Sequence, residues 1–228
     1  MTIRLVLFDL DDTLFPSTEA YQNGLRAAWK RLRKDRGLSW SEFDQAYQRA
    51  RQDVKKRLGT SPAARNRLLY FKRLVEIVYG SPHPGKVLAL MSAYNACWST
   101  VDVRSPRRVL RQLARRFVLG VVTNQVGEMQ MRKLARLDPD GRYLKVVVTS
   151  EEVGVEKPDP RIFREACRLA DCRPQEAILV GDSWKDDVQG ALKAGMRAVF
   201  LHSGSVRRSL PSGVHSLSRL EDLPKWLA

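Results

Sequence analysis

The stretch Phe8-Asp9-Leu10-Asp11-Asp12-Thr13-Leu14 decides how this 228-residue chain folds. It begins at Phe8, the last residue of the apolar stretch 3–8. The apolar residues predict a buried strand, and three carboxylates stand at its end. Like charges in a partly desolvated crevice raise each other's pKa unless a cation neutralises them. The stretch therefore indicates a bound divalent metal ion.

A second acidic cluster lies far along the chain, in Gly181-Asp182-Ser183-Trp184-Lys185-Asp186-Asp187. It follows the apolar run 177–180, which predicts another buried strand. The carboxyl ends of parallel strands meet at the same edge of a sheet, where ligands bind. We therefore expect the two acidic clusters to face one crevice.

Length and charge limit the classes of protein that the chain can represent. Its 228 residues suffice for one large domain or for a core with a smaller appended domain. The formal net charge is +15, and residues 17–104 carry 17 Lys and Arg against 7 Asp and Glu. Such a block attracts phosphorylated metabolites or nucleic acid, or is a solvated surface. Because no basic run is interleaved with aromatic residues, nucleic acid is not the expected partner.

Other compositional features point to a cytoplasmic protein. There is no run of eighteen uncharged apolar residues, and the first strand begins too early for a signal peptide. We expect no membrane partner. The cysteines Cys97, Cys167 and Cys172 form no metal-ligand pair and are interpreted as reduced packing residues. No heptad pattern indicates an oligomer, so the oligomeric state stays open.

The chain beyond residue 105 alternates short apolar runs with amphipathic stretches. This pattern predicts parallel strands joined by right-handed helical crossovers, that is, a Rossmann-like α/β core. The predicted strands are 117–122, 145–149, 177–180 and 198–201, and the predicted helices are 126–137, 160–171 and 186–195. Residues 203–216 are polar with Gly and Pro and predict a loop, followed by a final helix over 219–227.

Residues 17–104 differ from the rest because they have helical periodicity and no convincing strand. Apolar spacing predicts helices around 25–32, 43–54, 68–78 and 85–97, separated by breaks at Gly37, 59–62 and 80–85. The segment is inserted after the first strand. We predict a catalytic core of 1–16 plus 105–228 and a helical cap domain of 17–104, which would cover the carboxyl edge of the sheet as a lid.

The spacing of Asp9 and Asp11 suits two-step phosphoryl chemistry. One residue separates them, which places both side chains on the same face of an extended strand. One carboxylate can attack a phosphoryl group, while the other protonates the departing alkoxide and later activates water. Asp9 and Asp182 could supply the oxygen ligands that Mg²⁺ prefers.

Candidate groups for holding a phosphoryl group follow two other strands. Thr123 and Asn124 come after a predicted strand and offer a hydroxyl and helix N-terminal amides, which favour anions. Lys157 lies in a proline-bounded loop from which an ammonium could reach the acids. Phosphoryl transfer needs such donors and positive charge around the equatorial oxygens.

The ordered set of motifs resembles the haloacid dehalogenase-like hydrolase superfamily. FDLDDTL at 8–14 resembles its first motif, VVTN at 121–124 its second, EEVGVEKPDPRIF at 151–163 its third and VGDSWKDDVQGALKAGM at 180–196 its fourth. The resemblance covers 3–15 and 105–201 closely. The inserted segment matches only in position and helical character, so the resemblance informs fold and chemistry but not substrate.

The resemblance implies a role for each motif residue. Asp9 would be the nucleophile and Asp11 the general acid and base, while Thr123, Asn124 and Lys157 would hold the phosphoryl group. Mg²⁺ would be bound by Asp9, the backbone carbonyl of Asp11 and Asp182, supported by an acid of the fourth motif. That acid is Asp187 or Asp186; Asp187 aligns better, but the sequence does not decide between them.

These roles predict a Mg²⁺-dependent phosphatase that hydrolyses small phosphomonoesters through an aspartyl-phosphate intermediate. Dehalogenases of the superfamily lack the second catalytic Asp, which disfavours that activity here. Sugar phosphomutases usually have Gly where Asp12 stands, and no cap lysine is singled out for phosphonate hydrolysis. A polyanion-binding or nucleic-acid-binding protein on the same fold is the alternative. The substrate stays open; Arg65, Arg67 and Arg73 are candidates for contacting a second anionic group.

Overall fold

The computed structural model describes residues 2–204 and 209–228. The chain divides into two compact units, Met1–Pro16 with Asp102–Ala228, and Ser17–Val101. The second boundary lies slightly ahead of the predicted residue 104, and Asp102 stands two residues before the helix that begins at Arg104. Its carboxylate accepts a hydrogen bond from the Arg104 N–H over 2.9 Å.

Among its described residues, the first unit is built on a sheet of six strands, and each strand pairs in parallel with its neighbours. The spatial order is β3-β2-β1-β4-β5-β6. This confirms the predicted α/β fold class with a parallel sheet. The strands are β1 Leu5–Phe8, β2 Val118–Thr123, β3 Leu144–Thr149, β4 Ala177–Gly181, β5 Arg197–Leu201 and β6 Val214–Leu217.

Strand β1 lies at the centre of the sheet and is fully buried, as an all-apolar strand between two covered faces should be. Its last residue, Phe8, pairs with Val121 of β2 on one side and Val180 of β4 on the other. The chain segments that leave β2, β1 and β4 therefore emerge side by side. These are the segments that carry the second, first and fourth sequence motifs.

The second unit consists of helices, with the four predicted helices all present. They are α1 Ser17–Arg36, α2 Trp40–Leu58, α3 Arg67–Tyr79 and α4 Pro84–Asn95. Ser39 begins α2 with a capping box to Glu42, and Asn66 caps α3. Buried aromatic side chains of α2, α3 and α4 pack in contact, with Tyr47 5.8 Å from Phe71 and Phe71 5.4 Å from Tyr94 between ring centres.

Six helices belong to the first unit within residues 2–204 and 209–228. They are α5 Arg104–Leu113, α6 Gly127–Leu137, α7 Ser150–Val153, α8 Pro160–Leu169, α9 Gln189–Ala194 and α10 Leu223–Trp226. Buried apolar residues of α8 and α9, among them Ile162, Phe163 and Ala191, pack with strand residues in one core cluster. Helix α5 was not among the predicted helices. Its many arginines hide the helical spacing of the apolar residues at 109, 110 and 113.

Strand β6 corrects the prediction that residues 203–216 form a loop. It pairs in parallel with β5 from Val214 to Leu217. All four of its residues are half-buried and two of them are polar, so an edge strand of this kind carries no apolar run. Residues 205–208 of the predicted loop lie outside the described residues. The predicted final helix is a 3-10 turn, Leu220–Asp222, followed by α10.

The sequence predicted reduced cysteines and no membrane-spanning segment, and both predictions can be compared with the described residues. Cys97, Cys167 and Cys172 form no disulfide within the described residues, and Cys167 is buried in the core. Within the part of the chain that the structure describes, no helix is both long and apolar enough to span a bilayer.

Candidate active site

Asp9 is the first residue beyond β1, and the sheet fixes its position. Its backbone N–H donates to the carbonyl of Val180 over 2.8 Å, which continues the pairing of β1 with β4. The residue is only 7% exposed. A carboxylate at this point is held by two flanking strands rather than by a loose loop.

A tight turn follows Asp9 and brings the next acids back toward the strand end. The N–H groups of Leu14 and Phe15 both donate to the carbonyl of Leu10, over 3.1 and 2.9 Å. Asp12, at the bend, has φ 60°, a left-handed conformation that Asp tolerates better than most residues. Thr13 donates its hydroxyl hydrogen bond to Asp182 over 3.3 Å. The turn thereby connects the first acidic cluster to the second.

Lys157 lies between two buried carboxylates. Its Nζ is 2.5 Å from Asp9 Oδ1 and 2.7 Å from Asp187 Oδ1, and the residue is 4% exposed. Burial alone would lower the pKa of the Lys157 ammonium, but Asp187 and Asp9 beside it raise that pKa above the ordinary lysine value. The two carboxylates therefore favour the charged form of Lys157 at the end of β1.

Asn124 fixes the backbone of Lys157. Its Nδ2 donates to the Lys157 carbonyl over 2.9 Å, and its Oδ1 accepts from the Lys157 N–H over 2.6 Å. Both polar atoms of the side chain are used in this way. The side chain of Asn124 therefore positions the lysine, and its contact with phosphate stays a prediction.

Asp187, and not Asp186, lies with the other acids. It is 1% exposed and sits in the π-helical turn Trp184–Val188 that precedes α9. Its Oδ2 accepts from the N–H of Ser183 over 3.0 Å, while Oδ1 faces Lys157. The insertion of one residue in a π-helical turn changes which side chain faces the sheet, and such turns recur at functional sites.

Carboxylate oxygens of Asp9, Asp182 and Asp187 all lie within 4.8 Å of one another. Burial raises the pKa of Asp9 to about 8, with Lys157 opposing this and Asp187 and Asp11 adding to it. Desolvation of its carboxyl group, and second the negative charge of Asp187, raise the pKa of Asp182 to about 6. The residue taken as a whole is exposed. Three oxygen donors whose ionised forms repel each other fit a hard divalent cation such as Mg²⁺.

Thr123 ends β2 and is 1% exposed. Its hydroxyl accepts a hydrogen bond from Gln130 Nε2 over 2.5 Å. Gln130 Nε2 also donates to Asp11 Oδ2 over 3.1 Å, so one amide links Thr123 to Asp11. The side chains of Asp9, Lys157, Asp182 and Asp187 form one contact cluster, which Thr13 and Asn124 join through hydrogen bonds.

Sequence reasoning missed two residues of α6 that contact this site. Gln130 and Lys133 are both 0% exposed, and both reach the carboxylate of Asp11. A signal was present: two polar residues stand three positions apart on the face of α6 that also carries Met129, Leu134 and Leu137. Polar side chains on the buried face of an amphipathic helix need partners.

The parallel sheet and the acids and lysine at its carboxyl edge define a class: α/β enzymes whose ligands bind beyond the strand ends. A family model for haloacid dehalogenase-like hydrolases matches residues 3–195. The chain belongs to the haloacid dehalogenase-like hydrolase family and is an enzyme of the hydrolase class.

Two named relatives are similar to this chain over most of its length. A ribulose-1,5-bisphosphate 5-phosphatase of Halopiger xanaduensis is 37% identical over 201 residues, covering 85% of this chain and 82% of the relative. A glyceraldehyde 3-phosphate phosphatase of Methanopyrus kandleri is 35% identical over 235 residues, covering 99% of this chain and 95% of the relative.

Solved structures of the family share the fold over the whole chain. A phosphatase from Thermococcus onnurineus superposes with a TM-score of 0.73 at 25% identity, covering 99% of this chain and 98% of that one. A 2-haloacid dehalogenase from Pseudomonas syringae superposes with a TM-score of 0.72 at 25% identity, with the same coverage. Since neighbours with different activities share the fold, the reaction must be argued from the site.

Proposed function

We propose that this hydrolase is a Mg²⁺-dependent phosphatase that hydrolyses small phosphomonoesters through an aspartyl-phosphate intermediate. The observation that carries the proposal is the placement of Lys157 against Asp9, with Asp11 two residues further along the same turn. Two relatives that cover most of the chain are named as phosphatases of phosphorylated sugars. The proposal also assigns the two units their predicted roles, catalytic core and helical cap.

In the first step, an oxygen of Asp9 attacks the phosphorus of the substrate and forms a P–O bond to the carboxylate. The ester P–O bond breaks, and its electron pair goes to the leaving oxygen, which takes a proton from the carboxyl group of Asp11. Lys157 and the Thr123 hydroxyl hold the oxygens of the transferring group. The alcohol leaves.

In the second step, water attacks the phosphorus of the aspartyl phosphate. The Asp11 carboxylate takes the proton of the water, the bond between phosphorus and the Asp9 oxygen breaks, and inorganic phosphate is released. Asp9 is regenerated as a carboxylate and Asp11 as a carboxylic acid. The same residue thus acts first as acid and then as base.

Asp9, Asp182, Asp187 and the backbone carbonyl of Asp11 would hold the Mg²⁺ ion. When bound, Mg²⁺ supplies positive charge that neutralises the acids and stabilises charge on the phosphoryl oxygens. The raised pKa values of Asp9 and Asp182 support this assignment, because a cation among these groups is what keeps both ionised.

Asp11 favours a phosphatase over a dehalogenase. Halide is a stable anion and needs no proton, whereas an alkoxide leaving group does. Here a carboxylate follows the nucleophile by two residues and is 23% exposed, so it is accessible to a leaving group. A protein that acted only as a dehalogenase would have no use for it.

For a second anionic group on the substrate, Arg67 is the strongest of the three candidate arginines. Its guanidinium stacks over Tyr21 at 4.8 Å and Tyr70 at 5.3 Å, and in residues 2–204 and 209–228 it has no carboxylate partner. The hydroxyl of Tyr94 is buried beside the Arg67 guanidinium. Arg73, in contrast, is paired with Asp53 at 2.9 Å.

A second candidate function, polyanion binding, has one observation in its favour. Arg104, Arg107, Arg108 and Arg111 of α5 line a surface groove with Tyr143, and all four arginines are exposed. Nucleic-acid binding there would weaken steeply with salt, and a protein with that function alone would release no phosphate.

The deciding experiment measures phosphate release from a panel of phosphorylated metabolites, with and without Mg²⁺, for the wild-type protein and Asp9→Asn. We expect turnover that requires the metal and is abolished in Asp9→Asn, since that change removes the nucleophile and preserves volume. Substantial activity of Asp9→Asn would refute the mechanism. Absence of turnover across the panel, with salt-sensitive binding of nucleic acid, would support the second candidate.

A further inference from the structure

Helix α6 presents two fully buried polar side chains to the carboxylate of Asp11. Lys133 Nζ forms an ion pair with Asp11 Oδ1, and Gln130 Nε2 donates to Asp11 Oδ2 over 3.1 Å. Both residues are 0% exposed and are separated by one helical turn. Residues three apart on a helix share a face, so α6 contacts both oxygens of the same carboxylate.

Stability does not account for a lysine in this position. Taking an ammonium group out of water is costly, and a buried ion pair is often no more stabilising than apolar residues of similar volume. The apolar neighbours of Lys133 on α6, Met129, Leu134 and Leu137, show that this face otherwise packs as hydrophobic core. A methionine would suit the packing at lower cost.

The contacts do account for a fixed orientation of Asp11. A carboxylate that partly faces solvent can adopt several side-chain rotamers. Hydrogen-bond donors on both of its oxygens select one of these rotamers. General acid catalysis requires the proton to lie within hydrogen-bond reach of the leaving oxygen, and small misplacements are expensive. Gln130 also donates to Thr123 over 2.5 Å, so the same amide joins Asp11 to a proposed phosphate-binding residue.

We propose that Lys133 and Gln130 are positioning residues that hold the Asp11 carboxyl group where it can give its proton to the leaving alkoxide. The inference rests on the proposed function, because it takes Asp11 as the general acid. It concerns the first step only, in which the ester P–O bond breaks and the leaving oxygen is protonated.

The test is single-turnover kinetics of the first step, with enzyme in excess over substrate. Two substrates are compared: an alkyl phosphate, whose alkoxide must be protonated to leave, and p-nitrophenyl phosphate, whose phenolate leaves without help. In Lys133→Met we expect release of the alkyl alcohol to slow by at least ~10-fold, within the range of general acid catalysis. Release of p-nitrophenol should change by less than about 3-fold on the same reasoning.

Three further variants separate positioning from structural support. Lys133→Arg retains a cationic donor and should recover part of the lost rate with the alkyl phosphate. Gln130→Leu removes the other donor without removing a charge and should give the same selective loss. Arg132→Met is the matched control, because Arg132 lies on the exposed face of α6 and pairs with Glu128 at 2.8 Å.

A double-mutant cycle with Asp11→Asn closes the test. If Lys133 acts through Asp11, Lys133→Met should add little to the loss already caused by Asp11→Asn. Equal slowing of both substrates in Lys133→Met and Gln130→Leu, or full additivity with Asp11→Asn, would overturn the inference while leaving the proposed function intact. Undiminished turnover in Asp11→Asn itself would overturn both.

Discussion

The carboxylate of Asp187 occupies the space that a side chain on Gly181 would need. A Cβ built on Gly181 would lie 2.4 Å from Asp187 Cγ, far inside van der Waals contact. The glycine at the end of β4 therefore permits the approach of a buried acid that also pairs with Lys157 at 2.7 Å. The position of Asp187 in the site therefore depends on the lack of a side chain at Gly181.

Gly181→Ala should displace Asp187 and reduce activity. Overpacking of this kind costs about 1–3 kcal/mol when the neighbours shift to relieve it, and here the neighbour that must shift is a site residue. We expect a fall in kcat of at least ~10-fold, in line with the loss of a residue that supports a metal site. Gly85→Ala is the matched control, because nothing lies within 4 Å of a Cβ there. Equal activities of the two variants would contradict the prediction.

Asp186→Asn and Asp187→Asn should differ sharply, although the residues are adjacent. Asp187 is buried against Lys157 and within the acidic cluster, whereas Asp186 is outside that cluster. We expect Asp187→Asn to lower Mg²⁺ affinity or activity by ~10–100-fold, the usual effect of losing a supporting group at a metal site. Asp186→Asn should stay within about 3-fold of wild type by the same criterion. Titration of phosphate release against Mg²⁺ concentration measures both, and the reverse order of effects would refute the assignment.

The stability of the metal-free protein should decrease as pH rises from about 5 to 8. The pKa of Asp9 is raised by burial to about 8 in the folded state, against about 3.9 for an unfolded aspartate. Between these values the folded state binds more protons than the unfolded state, so the free energy of unfolding decreases with increasing pH. Mg²⁺ should reverse much of this decrease by binding the ionised form.

Thermal unfolding at several pH values, with chelator or with Mg²⁺, checks that prediction. Asp9→Asn is the control, since it removes the titrating carboxyl and should flatten the dependence in chelator. A metal-free wild type whose melting temperature rises over this range relative to Asp9→Asn would show that the sign is wrong.

Arg67→Met should impair only substrates that carry a second anionic group. The guanidinium is held over Tyr21 and Tyr70 and has no carboxylate partner in the described part of the chain. We expect KM for a bisphosphorylated sugar to rise by about 10-fold, which is about 1.4 kcal/mol, while KM for a singly phosphorylated sugar changes little. Arg73→Met, which removes an arginine already paired with Asp53, is the control. A uniform change in KM for both sugars would exclude the role.

Local patterns were enough to predict the elements that carry the site. Residues 5–8 are a continuous apolar run that ends at an acid, and such a run is visible without knowledge of its neighbours. The same holds for the runs before Thr123 and Asp182 and for the apolar spacing of the four helices between 17 and 101. Strand β6 and helix α5 escaped because an edge strand and an arginine-rich helix do not produce these patterns.

What only the tertiary structure decided are contacts between residues far apart in the chain. Lys133 meets Asp11 and Lys157 meets Asp9 across 122 and 148 positions, and no periodicity records such a meeting. The choice of Asp187 over Asp186 required the π-helical turn after β4, because one inserted residue changes which carboxylate faces the sheet. The sequence by itself determined which chemical groups stand at the strand ends. The folded chain decided which of them touch, because direction and distance between side chains arise only when the strands pack.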